Sequence, residues 1–208
     1  KTAIAKKIIA AKIHNQIVIL RRYARNGSLD ISRSIVEMQN MQNKVMHAGS
    51  DEQIMGYEGT AAKIYFNVLG QLIDPTFSFR GRSRRPPMDP FNSLISLGYS
   101  IMLNEIYGKI EGKGLNPYFG ILHKDREKHP TLASDLMEEW RAVLVDSTAL
   151  SVLNGHELSV DDFYSGVEQP GVFLTKDAFK KYIRKRLHRK RGESNPVKYA
   201  YKKSKIKK

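Results

Sequence analysis

The chain has 208 residues, no cysteine and a net charge of +14. The lack of cysteine excludes disulfides, thiolate chemistry and zinc–cysteine sites, and it fits a cytoplasmic setting. With 41% hydrophobic residues the chain can bury a core, yet no apolar run approaches the ~20 residues that span a bilayer. It starts at Lys1, not at a methionine, so further residues are expected ahead of it.

The charge is unevenly placed. Residues 1–175 hold 20 Lys/Arg against 19 Asp/Glu, a net of +1. Residues 176–208 hold 15 Lys/Arg against only Asp177 and Glu193, a net of +13. A segment of that kind favours a polyanion, either nucleic acid or an anionic membrane.

In chain order, Ile4, Ile8, Ile9, Ile13, Ile17 and Leu20 share one face of a helix over residues 4–24, with Gly27 as a stop. Ser34 with Glu37 predicts a capping box for a second helix carrying Ile35, Met38, Met41 and Val45. Ser50 with Gln53 opens a third, running to about Leu72. Residues 74–88 are a proline- and glycine-containing loop with Arg80, Arg82, Arg84 and Arg85. Asp89-Pro90 combines an N-cap side chain with proline at the first helical position, and that helix reaches about Ile110. After a loop over residues 112–120, Pro130-Thr131 opens a helix through Val143 and Leu144, and a shorter one covers Asp146 to Leu153. Val172-Phe173-Leu174 is a brief extended piece. Thr175 caps a basic helix, roughly residues 176–191, and a Lys-rich tail of residues 192–208 follows. The expected fold is therefore all-α, with residues 1–175 as one helical lobe.

Carboxylates stand where apolar residues belong. Glu58 lies on the stripe made by Ile54, Ala61, Ala62, Tyr65 and Leu69, and an ionised carboxylate facing the interior needs a paired cation or a metal. Asp135 and Glu138, at i and i+3, point to one side of the helix after Thr131. His123 ends the apolar step Gly120-Ile121-Leu122 just upstream. One imidazole with carboxylates is a ligand set for Mn2+ or Mg2+. Taken alone, Glu58 is explained better by an internal salt bridge or a protonated acid than by a metal.

Four blocks resemble the CRISPR-associated protein one family, the CRISPR adaptation integrase. They are Lys12-Ile13-His14-Asn15-Gln16 with Leu20-Arg21-Arg22; Gly56-Tyr57-Glu58-Gly59-Thr60-Ala61-Ala62 continuing to Tyr65-Phe66; Phe79-Arg80-Gly81-Arg82 and Arg85-Pro86-Pro87 with Asp89-Pro90-Phe91-Asn92-Ser93; and Gly114-Leu115-Asn116-Pro117-Tyr118-Phe119-Gly120 to His123, then Ser134-Asp135 to Arg141. The resemblance implies the helical catalytic lobe of that integrase, with the family's N-terminal β domain absent or not included. It implies a metal site from Glu58, His123 and Glu138, with Asp135 beside it or as an alternative ligand. It also implies an enzyme that inserts short DNA fragments into a CRISPR array by 3′-OH transesterification and that nicks or disintegrates branched DNA. Arg80, Arg82, Arg84 and Arg85, together with Arg21, Arg22 and Tyr99, are the expected DNA contacts. Double-stranded DNA, a second copy of the chain and a small CRISPR-associated subunit are the expected partners, with no membrane.

Overall fold

A computed structural model describes residues 1–192, apart from Asn26, Arg84, Arg126, Val167 and Glu168, with side chains through Leu187. Arg84 and the Lys-rich segment from Glu193 onward therefore lie outside the described residues. The chain is helical almost throughout, as the periodicity predicts. Helix α1 spans Thr2–Ala24, α2 Ser32–His47, α3 Asp51–Leu72 and α4 Pro90–Glu111. Next come α5, Thr131–Met137, and α6, Ser147–Asn154, with two turns of different winding between them. A ribbon of two short strands, β1 (Phe163–Ser165) and β2 (Val172–Leu174), precedes α7, Lys176–Gly192.

Helices α1, α2 and α3 pack on one another through Ile9, Ile13, Met38, Val45, Ile54 and Leu69, all buried. Expected starts are seen at α3 and α4. The Ser50 hydroxyl accepts from Gln53 N–H at 3.3 Å, and the Asp89 carboxylate accepts from Asn92 N–H at 2.7 Å, with Pro90 at the first helical position. Thr175 Oγ1 likewise accepts from Ala178 N–H at 3.3 Å at the start of α7.

Three expectations change. The proposed capping box at Ser34 and Glu37 is not the start of α2. That helix begins at Ser32, so Ser34 sits inside its first turn, and the Asp30 carboxylate accepts from Ser32 N–H at 2.9 Å ahead of it. The helix expected from Thr131 through Leu144 is not uniformly α. After α5 the chain tightens into a 3₁₀ turn, Glu138–Trp140, and then loosens into a π-helical turn, Arg141–Asp146, before α6. Finally, the extended piece at Val172–Leu174 has a partner that the sequence did not announce: Phe163 pairs with Leu174, Tyr164 with Phe173 and Ser165 with Val172, antiparallel.

Helix α7 is docked, not appended. Ala178 and Tyr182 are fully buried, and Arg186, 4% exposed, forks onto Glu105 of α4 with both contacts at 3.3 Å. Lys185 meets Glu157 and Lys181 meets Asp162, so part of the helix's positive charge is answered within the fold. Gly98 on α4 makes room for this packing: a Cβ there would lie 2.5 Å from Val145 Cγ1 and 2.7 Å from the Tyr182 hydroxyl.

Candidate catalytic centre

Three parts of the chain meet at Lys12. The lysine sits on the apolar face of α1, one turn after Ile8 and Ile9 and one turn before Gln16, and is 8% exposed. Its ammonium contacts Glu58 Oε1 from α3 and lies 2.6 Å from Glu138 Oε2 on the 3₁₀ turn. The second contact is an ion pair. The other Glu138 oxygen takes Arg141 Nη2 at 3.0 Å. The two carboxylates are themselves withdrawn from solvent, with side-chain exposures of 17% and 5%. Burial alone would raise the Glu138 carboxyl. Lys12 and Arg141 outweigh it and hold the group below the usual carboxylate range.

His123, near enough to Glu138 for each to influence the other's ionisation, is positioned by Asp135. The fully buried Asp135 accepts the Ile121 and Leu122 N–H groups on Oδ2, at 2.6 and 2.8 Å, and the imidazole Nδ1–H on Oδ1 at 2.5 Å. The hydrogen bond to Asp135 raises the His123 pKa above its ordinary value, against the opposing effect of burial. Asp135 is held low despite its burial, because His123 and the two N–H groups favour the ionised form. A carboxylate that binds Nδ1 fixes the ring and leaves Nε2 as the nitrogen for another ligand. Gly120 permits this closure: a Cβ there would stand 2.4 Å from Thr131 Cγ2 and 2.6 Å from the His123 carbonyl oxygen.

A second buried network lies behind the first. Asp146, at the end of the π turn, accepts from the Tyr65 hydroxyl at 2.9 Å and from the Tyr99 hydroxyl. The guanidinium groups of Arg82 and Arg141 both lie over the Tyr99 ring, 5.6 and 5.1 Å from its centre. Tyr99 is thus a hydrogen-bonded strut between the arginine loop and the Glu138 turn. Burial pushes the Asp146 carboxyl up to about 6, although both tyrosines and both arginines pull it down. Between pH ~4 and ~6 the folded chain holds a proton that the unfolded chain has lost, so this group makes stability fall as pH rises through that window. Asp146→Asn is expected to abolish the fall, which amounts to ~3 kcal/mol for a shift of this size. Urea unfolding of both proteins from pH 4 to 6.5 measures it, and parallel stability curves would contradict it.

The arginine loop divides into inward and outward members. Arg82 Nη1 donates to Asn92 Oδ1 at 2.8 Å and reaches Ser96 Oγ at 3.3 Å, so it braces the loop on α4. Arg80 and Arg85 are exposed, as are Arg21 and Arg22 on α1. Arg80 also borders a groove of about 680 Å³ on α3, with Lys63, Phe66, Asn67, Gly70 and Phe79. Glu58, Ala62 and Phe66 follow one another at four-residue spacing, so this groove runs along the face of α3 that carries Glu58.

The model of the family described as CRISPR associated protein Cas1 matches residues 1–186. The chain belongs to the Cas1 family. It is 41% identical to the CRISPR-associated endonuclease Cas1 of Mycobacterium tuberculosis (strain ATCC 25618 / H37Rv) over 182 residues, 88% of this chain and 53% of that protein. It is 39% identical to the CRISPR-associated endonuclease Cas1 3 of Thermus thermophilus, again over 88% of this chain and 53% of that protein. The chain thus spans about half the length of the curated Cas1 relatives that it matches. A solved structure described as a partial Cas6-RT-Cas1–Cas2 complex contains a chain with a TM-score of 0.84 and 31% identity, covering 90% of this chain and 57% of that one. A casposase bound to integration product shares the fold, with a TM-score of 0.76 at 23% identity, over 90% of this chain and 52% of that one.

On this Cas1 framework the sequence-derived residues separate. Glu58 and Glu138 share a cation, and His123, held by Asp135, lies within electrostatic reach of Glu138. Among the described residues, no three His, Asp or Glu side chains are gathered into a ready metal-binding cluster. Lys12 stands where the two carboxylates converge. Both Asp135 oxygens are engaged with His123 and its loop, which suits a supporting carboxylate and not a ligand. Lys12, Asp146 and Lys63 were missed by sequence reasoning. Lys12 left a signal: a lysine on an apolar stripe, the mirror of Glu58. Asp146 left none, because an acid at the expected start of a helix reads as a cap.

Proposed function

We propose that this chain is the helical catalytic lobe of a divalent-metal-dependent DNA integrase. It inserts short DNA fragments into a CRISPR array by transesterification, and it nicks or disintegrates branched DNA at the same centre. The observation that carries this reading is the convergence of Glu58 and Glu138, from distant segments, on a single cationic point, with the imidazole of His123, whose Nδ1 is held by Asp135, within electrostatic reach of Glu138. Those donors fit Mn2+ or Mg2+: a buried and a half-buried carboxylate already share one small cation, and an imidazole among oxygens suits Mn2+. Glu58 and Glu138 would hold the ion, with His123 completing the set. Such an ion supplies charge stabilisation at phosphate oxygens and a lowered pKa for a hydroxyl bound to it.

In this reading the 3′-OH of the incoming fragment attacks a phosphodiester of the repeat. One phosphodiester replaces another, so no nucleotide hydrolysis is needed. The alternative role for His123 is to leave Nε2 off the ion and relay the proton between attacking and leaving oxygens. Asp135 fixes its tautomer, and Arg141 orients Glu138. Exposed Arg80 and Arg85, with Arg21 and Arg22 on α1, neutralise DNA phosphates without reading sequence. Arg82 acts through the loop that it braces. The duplex fragment, the repeat DNA, a second copy of the chain and a Cas2-type subunit are the partners of the whole assembly.

The test is strand transfer of a short duplex into a repeat-containing plasmid. Product is expected with Mn2+ or Mg2+ and none after chelation with EDTA. Transfer that persists undiminished in EDTA would overturn the metal-dependent reading.

A further inference from the structure

We propose that Lys12 is a built-in counter-ion: its ammonium holds Glu58 and Glu138 together in the metal-free protein and yields that place when a divalent cation binds. The inference rests on the reading of both glutamates as metal ligands.

The geometry supports an exchange of cations more than a permanent ion pair. Glu58 and Glu138 come from segments 80 residues apart and are both withdrawn from water, so with no cation between them they would repel each other and resist burial. Lys12 answers both at once. It contacts Glu58 Oε1 and, at 2.6 Å, Glu138 Oε2. Those oxygens are the ones that converge, and a metal ion would need them. The remaining Glu138 oxygen is occupied by Arg141 at 3.0 Å, so the arginine orients the glutamate without filling the shared position. A lysine suits such exchange. Its charge is compact and carried on a flexible four-carbon stem, so it can vacate a position that a planar, bidentate guanidinium would keep. Lys12 shares the buried face of α1 with Ile8 and Ile9, at i−4 and i−3, so its apolar stem belongs to that face independently of the ammonium's partner.

Two cations cannot share these oxygens without mutual repulsion, so the lysine must weaken metal binding while stabilising the metal-free fold. A lysine with a purely structural role would behave differently: its loss would loosen the site and weaken metal binding too.

The experiment is calorimetric titration of Mn2+ into the purified metal-free protein, wild type, Lys12→Met and Glu58→Gln, with thermal melting in EDTA and in Mn2+. Wild type is expected to bind Mn2+ and Glu58→Gln to lose that binding. Lys12→Met is expected to bind about tenfold more tightly than wild type or better, and to melt lower in EDTA but gain more from Mn2+. A Lys12→Met protein that is unfolded in EDTA and refolds on adding Mn2+ supports the proposal in the same way. Equal or weaker Mn2+ binding by Lys12→Met, or an unfolded variant that Mn2+ does not restore, overturns the counter-ion role while leaving the metal site standing. Absence of any Glu58-dependent Mn2+ binding overturns the metal reading itself, and the proposal with it.

Discussion

Glu58→Ala is expected to reduce strand transfer by about a thousand-fold, with only a small loss of stability. A ligand that helps hold a metal contributes several kcal/mol of transition-state stabilisation, and ~4 kcal/mol corresponds to about three decades of rate. The variant should still fold, because Lys12 keeps its second partner, Glu138, at 2.6 Å. No uncompensated buried cation is therefore left behind, which is the circumstance that makes broken buried pairs costly. Single-turnover strand transfer in Mn2+, read beside a thermal melt, separates the two effects. Transfer within tenfold of wild type would remove Glu58 from the catalytic centre. A collapsed melting transition would instead show that its role is structural.

Asp135→Ala acts in the opposite sense, on the fold before the chemistry. Asp135 is fully buried and accepts three backbone N–H groups, from Ile121, Leu122 and His123, and the His123 ring. Alanine leaves those donors stranded between α5 and the 120–123 loop. Loss of a buried charged acceptor with several partners costs ~3–5 kcal/mol. For a chain of this size that lowers the melting temperature by roughly 10 °C. Asp135→Asn keeps one oxygen acceptor and should fall between the two. A melting temperature for Asp135→Ala within about 2 °C of wild type would contradict this account, since even 1 kcal/mol moves it that far.

Much of the helical framework was legible because helical periodicity is local. Ile8, Ile9, Ile13 and Ile17 announce α1, and Asp89-Pro90 announces α4, through interactions within a few residues of chain. The windings between Met137 and Ser147 were not legible. The run carries no glycine or proline to signal a break, and its geometry accompanies contacts made elsewhere: Asn15 Nδ2 donates to the Glu139 carbonyl at 2.7 Å, and the Tyr23 hydroxyl donates to the Ser147 carbonyl at 2.7 Å. Partners 124 residues away leave no local trace. The two-stranded ribbon was half legible for a similar reason. Three residues are too few to show alternation, and β1 gains its meaning only from pairing with β2.

For the candidate site, the sequence by itself determined the family and singled out Glu58, His123, Asp135 and Glu138, because a carboxylate on an apolar stripe is a local contradiction and the motif blocks are contiguous. It left open whether Glu58 meets a metal or a salt bridge. Only the tertiary structure decided that its partner in the metal-free chain is Lys12, that Asp135 supports His123 through both its oxygens, that Tyr99 is tied to Asp146 and that Arg82 braces its own loop. The physical reason is the same in each case. A single sequence reports which side of a helix a residue faces, whereas the identity of a buried charge's partner depends on which faces the fold brings together.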